Sequence, residues 1–322
     1  MIRFSQILWI FVLVLLLLVP TLSGENYYFL HISIMVGIFV ILAQGLNILF
    51  GYAGQISIGH AAFYAIGAYA SALLAARLSF PFWASSLFSL LFTGLVGFLL
   101  GLTCLRLRGE YLAITTVAFG EIVQVILTQW EEVSGGPEGF LNIPKAHIGS
   151  FLFDTPVRFY YLTLFITLLS LVLARNLTSF KLGRSFRSIR DDPLAANILG
   201  VDTTKVKLIA FVLSAAYSGL AGSLYAHYSR ALLPDYFSLS LSVLIFMMVM
   251  LGGMGSLYGP VIGAIVLTVS FELLRALQAY QMVIYGVLVL LITIFAPEGL
   301  VGIVKGIIQK RSAYPVDHKH GQ

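Results

Sequence analysis

Charge is scarce in this chain. Of its 322 residues 10% are charged and 59% are hydrophobic, and the mean hydropathy is +0.95. A soluble domain usually carries about 25% charged residues, so the composition excludes an ordinary soluble protein. The apolar runs are too many for a single membrane anchor. One cysteine, Cys104, excludes an intrachain disulfide framework, and its apolar surroundings read as packing. There is no Walker motif, no zinc-ligand spacing and no nucleophile elbow, so no ATP hydrolysis, metal chemistry or hydrolase chemistry is expected of this chain. The net charge of +5 is small and sits on loops. It therefore reports membrane orientation and gives no sign of nucleic-acid binding.

One polar stretch interrupts the apolar sequence, Lys181 to Ala210. Seven basic residues lie between Arg175 and Lys207 (Arg175, Lys181, Arg184, Arg187, Arg190, Lys205 and Lys207), against the acids Asp191, Asp192 and Asp202. A short helix is marked at both ends inside it. Asp192 is placed to cap the first free amides, Pro193 suits the first helical position, and Gly200 suits a left-handed stop. The body, Leu194 to Leu199, is too short to be stable alone in water. Leu194/Ile198 and Ala195/Leu199 form two adjacent stripes. The pattern leaves two readings open, a loop helix resting on its own membrane domain and a docking helix for a partner.

Around this stretch the sequence predicts an all-α, polytopic helix bundle of about ten spans, with eight as the lower bound. The expected spans are Ile7–Leu22, Tyr27–Phe50, a helix after the Gly51–Gly59 break, Phe82–Leu105, Tyr111–Trp130, Phe159–Leu177, Leu208–Tyr228, Leu239–Leu251, a span ending at Arg275, and Met282–Phe295. Leu22-Ser23-Gly24 is a poor signal-peptidase site, so the first helix is expected to be retained. The transmembrane domain would cover 1–304, with a cytoplasmic loop at about 177–206. Residues 305–322 would form a disordered cytoplasmic tail. The basic loop and both termini are expected in the cytoplasm, and the loop carrying Glu131, Glu132, Glu138 and Asp154 outside.

Three features stand out within the spans. Gly51, Gly54, Gln55, Ser57, Gly59 and His60 make an irregular polar segment between helices, and Gly252, Gly253 and Gly255 make a second break. Irregular backbone at membrane depth is tolerated only where protein or water satisfies it, and in transporters it often marks the substrate path. A plain tight turn is the competing reading, and the similarity of the two breaks hints at an internal repeat. Glu121 is a carboxylate inside an apolar span, expected to face the bundle interior or water. An internal hydrogen-bonded role and a substrate contact are both open for it. Gly51, Gly54, Gln55, Ser57, His60, Glu121, Gly252, Gly253 and Gly255 are the candidate translocation path.

Six segments in order carry a family resemblance: GYAGQISIGHAAFYAIGAYASALL, RLRGEYLAITTVAFGEIV, SGGPEG, GRSFRSIRDDPLAANILGV, KLIAFVLSAAYSGLAGSLYAH and MVMLGGMGSLYGPVIGA. Together they resemble the LivM-type permease subunit of bacterial branched-chain amino-acid ABC importers, from about Tyr28 to Gly299. The resemblance implies a second related permease in a heterodimer, two ATPase subunits that bind the ATP and Mg, and a periplasmic or membrane-tethered binding protein. It implies a place in the cytoplasmic (inner) membrane, among lipid, and no catalytic residue or cofactor in this chain. It also turns the open choice at Asp192–Gly200 toward docking: the segment similar to RDDPLAANILG seats on an ATPase, a role carried to Arg190, Asp191, Asp192, Leu194, Ala195, Ala196, Ile198 and Gly200. The implied mechanism is alternating access. Related permeases also carry urea, short amides and other small metabolites. From a different class, an ion-coupled secondary transporter would need paired intramembrane carboxylates, and Glu121 alone is thin support for one.

Overall fold

The computed structural model describes residues 15–21, 27–104, 107, 109–148, 151–273, 283–284, 286–287, 290 and 299–302. Most of the expected first span, most of Met282–Phe295 and the tail from 305 lie outside the described residues. Among the described residues the bundle is carried by α1 Tyr27–Leu46, α2 His60–Arg77, α3 Phe82–Cys104, α4 Glu110–Gln129, α5 Pro156–Ser179, α6 Lys181–Asp191, α7 Pro193–Ile198, α8 Thr203–Ser229, α9 Leu239–Gly252 and α10 Gly259–Leu273. Among the described residues, five helical segments are long and apolar enough to cross a membrane: Tyr27–Tyr52, α3, α4, α5 and α8. The helix α9 and the helix α10 are shorter and apolar, as their brief runs in the sequence predict.

Two spans form the centre. Residues Ile34, Ile38, Ile41 and Leu42 of α1 and Ala210, Ala215, Ala221 and Leu224 of α8 are fully buried. Helix α8 packs most extensively on α3 and α2, and α1 packs on α5, α8 and α10. Small residues make the α2–α3–α8 unit tight. A Cβ on Gly97 of α3 would collide with Ala215, and one on Gly222 of α8 would collide with the Tyr64 carbonyl. Hydroxyls replace volume as the glue: Ser71 meets Ser223 at 2.8 Å, Ser86 meets Ser223 at 2.7 Å, and Ser89 donates to the Gly67 carbonyl at 2.7 Å. Lipid supplies no hydrophobic drive between helices, so close packing and interhelical hydrogen bonds hold such seams.

The outer segments differ in what they show to their surroundings. The exposed face of α3 is Trp83, Leu87, Phe88, Leu91, Leu95 and Leu99, the chemistry of a lipid-facing surface. The loop between α4 and α5 takes part in two small two-stranded pairings, one of them with a strand that follows α8. Strand β1 (Phe140–Leu141) pairs antiparallel with β4 (Ala231–Leu232), and β2 (His147–Ile148) pairs with β3 (Phe151–Leu152). All four acids of this loop are exposed.

The polar stretch is more ordered than its composition predicts. Lys181–Asp191, read from sequence as loop, is the eleven-residue helix α6. Gly183, Phe186 and Ile189 are buried, while Lys181, Arg184, Arg187 and Arg190 fall on the exposed side. The three inward residues recur at helical spacing, but one is glycine, so little apolar signal stands out among the charges.

Candidate functional site

The short helix forms as its end signals dictate. Asp192 Oδ1 accepts from the amides of Leu194 at 2.8 Å and Ala195 at 3.1 Å. Pro193 begins α7, and Gly200 has φ +84°, the left-handed region that glycine enters without steric cost. The helix then presents its larger apolar side chains outward: Leu194, Ile198 and Leu199 are 67%, 86% and 81% exposed. Large apolar side chains gathered on a polar surface are the kind of patch that interaction sites expose. Ala195 is exposed with them. Ala196 is not, at 2% exposure. It faces its own chain, which corrects the expectation that both alanines lie against a partner. Four residues of one helical turn cannot all share a face.

Asp202 caps α8 by accepting from the Lys205 amide at 3.0 Å, and pairs with Lys205 Nζ at 2.9 Å. The Lys205 amide and then its side chain hold the Asp202 carboxyl below the usual carboxylate range.

Arg190 behaves differently from its neighbours in the stretch. Its Nη1 donates to the Gly51 carbonyl at 2.5 Å, in the first glycine-rich break. Its stem covers Gly54: a Cβ there would lie 3.0 Å from Arg190 Cγ. A Cβ on Gly255, in the second break, would lie 2.6 Å from Arg190 Nη1. The two breaks, 204 positions apart in sequence from Gly51 to Gly255, are thus neighbours at the end of the bundle that carries α6.

Asn47 ties the breaks together. Its Nδ2 donates to the Ser256 carbonyl at 2.9 Å, and its Oδ1 accepts from the Gly255 amide at 2.9 Å. Asn47 opens a π-helical turn, Asn47–Tyr52, that extends α1 into the first break. Such turns are uncommon and concentrate at functional sites. Sequence reasoning missed Asn47. An amide side chain in an otherwise apolar run was the available signal, and in the structure it is fully buried.

The rest of the first break is anchored on every side. Gln55 Nε2 donates to the Lys207 carbonyl of α8 at 3.3 Å. The Ile58 amide donates to Thr116 Oγ1 of α4 at 3.1 Å, and the Ala61 amide to Ser242 Oγ of α9 at 3.0 Å. His60 is fully buried, with Ser57 Oγ 3.3 Å from Nδ1 and Ser214 Oγ 2.6 Å from Nε2. Gly252 abuts Gly259, and a Cβ on it would collide with the Gly259 backbone; Gly253 has φ +119°. The geometry makes Gly51, Gly54, Gln55, Ser57, His60, Gly252, Gly253 and Gly255 a packed joint between helices.

Glu121 stands apart from that joint. It is exposed near the middle of α4, and no internal hydrogen bond or ion pair is found for it among the described residues. Of the two roles left open for it, the internally hydrogen-bonded one finds no partner here, and its exposed position departs from the bundle interior without bearing on a water-facing or substrate-contacting role. Tyr111, Ile114, Ala118, Glu121, Val125 and Gln129 form one exposed stripe with the three- and four-residue spacing of helix-pairing seams. A carboxylate facing lipid at this depth is costly. The α4 face therefore differs in kind from the all-apolar face of α3.

Comparison with known proteins agrees with this architecture. The profile of the family described as "Branched-chain amino acid transport system / permease component" matches residues 28–293. The chain is 36% identical over 304 residues to the high-affinity branched-chain amino acid transport system permease protein LivM of Salmonella typhimurium, covering 87% of this chain and 72% of that one. It is 37% identical over 292 residues to LivM of Escherichia coli, covering 84% and 69%. It is also 24% identical over 287 residues to the permease protein LivH of Salmonella typhimurium, covering 82% and 91%. No solved structure matches it.

Proposed function

Because the chain belongs to the family of branched-chain amino acid transport permease components, we propose that it is one of two membrane subunits of an ATP-driven importer of branched-chain amino acids. The identity to LivM proteins over most of the chain carries this reading. Its weaker similarity to LivH supports a heterodimer in which a second, related permease completes the path.

The subunit itself performs no chemistry. Two partner ATPases bind ATP and Mg, and a binding protein delivers the amino acid to the acidic outer face. In support, α7 offers Leu194, Ile198 and Leu199 to a partner on the side where the basic residues gather. The positive-inside rule places that side, with the tail, in the cytoplasm of a cell whose inner membrane holds the complex. Closure of the ATPases moves the coupling segment, the joint of the two breaks transmits the movement, and the path opens alternately to each side. Glu121 sits on the surface that the second permease covers, lining that path.

The test is reconstitution with the neighbouring permease, ATPases and binding protein. Calorimetry on the binding protein should find leucine, isoleucine or valine as the tight ligand. Proteoliposomes should take up that amino acid only with ATP. Tight binding of urea or an amide, with no branched-chain amino acid bound, would overturn the substrate assignment.

A further inference from the structure

Arg190, in the last turn of α6, adjoins the short helix α7. Its geometry gives it a task of its own. The Arg190 guanidinium reaches across to the Gly51 carbonyl at 2.5 Å. That carbonyl belongs to the last turn extending α1, where backbone acceptors lack partners further along the helix. A cation there also meets the negative end of the helix dipole. Among the described residues Arg190 makes no ion pair, and its guanidinium is directed at backbone instead of at a carboxylate.

The same guanidinium borders the second break. Gly255 has φ +69°, a conformation natural to glycine. A Cβ on it would stand 2.6 Å from Arg190 Nη1 and 2.9 Å from the Gly51 carbonyl oxygen. Asn47 closes the ring by holding the Gly255 amide and the Ser256 carbonyl, each at 2.9 Å. Ser256 Oγ then accepts from the Gly259 amide at 2.8 Å, at the start of α10. The links run without interruption from α6 through Gly51 and Asn47 to Gly255, Ser256 and α10. Gly54, also at φ +69°, lets the backbone lie directly under the arginine stem.

We infer that Arg190 is a positioning residue, a latch that fastens both glycine-rich breaks to the coupling segment so that they move with it. Displacement of α6 and α7 by a partner carries the end of α1 and the start of α10 along, because the guanidinium holds Gly51 and borders Gly255, and Asn47 and Ser256 continue the link to α10. The inference rests on the proposed transport function and adds to it the element that makes ATP closure felt inside the membrane.

The experiment uses the complete complex in proteoliposomes, reading leucine uptake per ATP hydrolysed. Arg190→Ala should still copurify with the ATPases, while uptake per ATP falls on the order of tenfold, as for typical coupling free energies. Arg190→Lys, which keeps a cation near the Gly51 carbonyl, should recover part of it. Gly255→Ala should reproduce the Arg190→Ala defect by pushing the guanidinium away from the other side. Spin labels at Ser188 and Tyr258 in a Cys104→Ser background should give one distance in the parent and a broadened distribution in Arg190→Ala. Unchanged uptake per ATP in Arg190→Ala would overturn the latch. So would loss of the ATPases from that variant, which would make Arg190 a docking contact. A parent complex without ATP-dependent uptake would instead sink the transport reading.

Discussion

Gly67 of α2 and Gly219 of α8 meet backbone to backbone. A Cβ on Gly67 would collide with Cα of Gly219, and one on Gly219 would press on Thr93 of α3. Three helices therefore converge at a point where no side chain fits. Gly67→Val and Gly219→Val should each destabilise the bundle by about 1–3 kcal/mol through overpacking. Leu91→Ala on the lipid-facing side of α3 should do far less. Melting midpoints and monodisperse yield in detergent check this. Equal stability of all three variants would remove the close crossing.

Ala195 and Ala196 should separate cleanly. Ala195→Glu places a charge on the exposed face of α7 and should abolish ATPase capture while the bundle keeps its melting midpoint. Ala196→Glu buries an unpaired charge inside the chain's own packing, which costs several kcal/mol. It should disorder the segment, seen as faster proteolysis near α7. Identical behaviour of the two would contradict the burial difference.

For Glu121, Glu121→Gln should leave the assembled complex intact and lower uptake about tenfold or more if the carboxylate acts in the path, a change in coupling of ordinary size. With no internal partner among the described residues, Glu121→Leu should also assemble. A Glu121→Leu protein that fails to assemble, beside a fully active Glu121→Gln, would show a structural role after all.

Orientation is checked by labelling. In Cys104→Ser cells a cysteine at Glu138 should react with an impermeant maleimide from outside, and one at Ser188 only after permeabilisation. The reverse pattern would invert the topology.

Much of this fold was legible where the chemistry is local. The runs from Tyr27 to Leu273 fixed eight helices because lipid demands long apolar segments. Asp192, Pro193 and Gly200 marked α7 because caps are near-neighbour effects. Direction was harder. Nothing in sequence says that Ala196 points inward and Ala195 outward, or that Glu121 leaves the bundle, because neighbouring helices decide which face is covered. Helix α6 hid behind its charges. The joint was the least legible part: each glycine-rich break was visible alone, but Asn47 and Gly255 meet from 208 positions apart, a distance over which single-sequence patterns carry no signal.

Helix α8 runs unbroken for 27 residues, about 40 Å at ~1.5 Å per residue, with no proline to bend it. Its first turn is capped by Asp202 beside the coupling segment, and its early carbonyl at Lys207 holds Gln55. At its far end His227 Nδ1 lies 2.9 Å from the Pro144 carbonyl oxygen, and Arg230 Nε donates to the Ile143 carbonyl at 3.1 Å. A stiff rod fastened to one loop on each side of the membrane is a lever. A tilt of about 5° at one end displaces the other by roughly 3 Å for a rod of this length. In the proposed orientation, pressure on the acidic loop would be passed along this rod to the surface proposed to meet the ATPases, with no need for a chain of small rearrangements through the middle of the bundle.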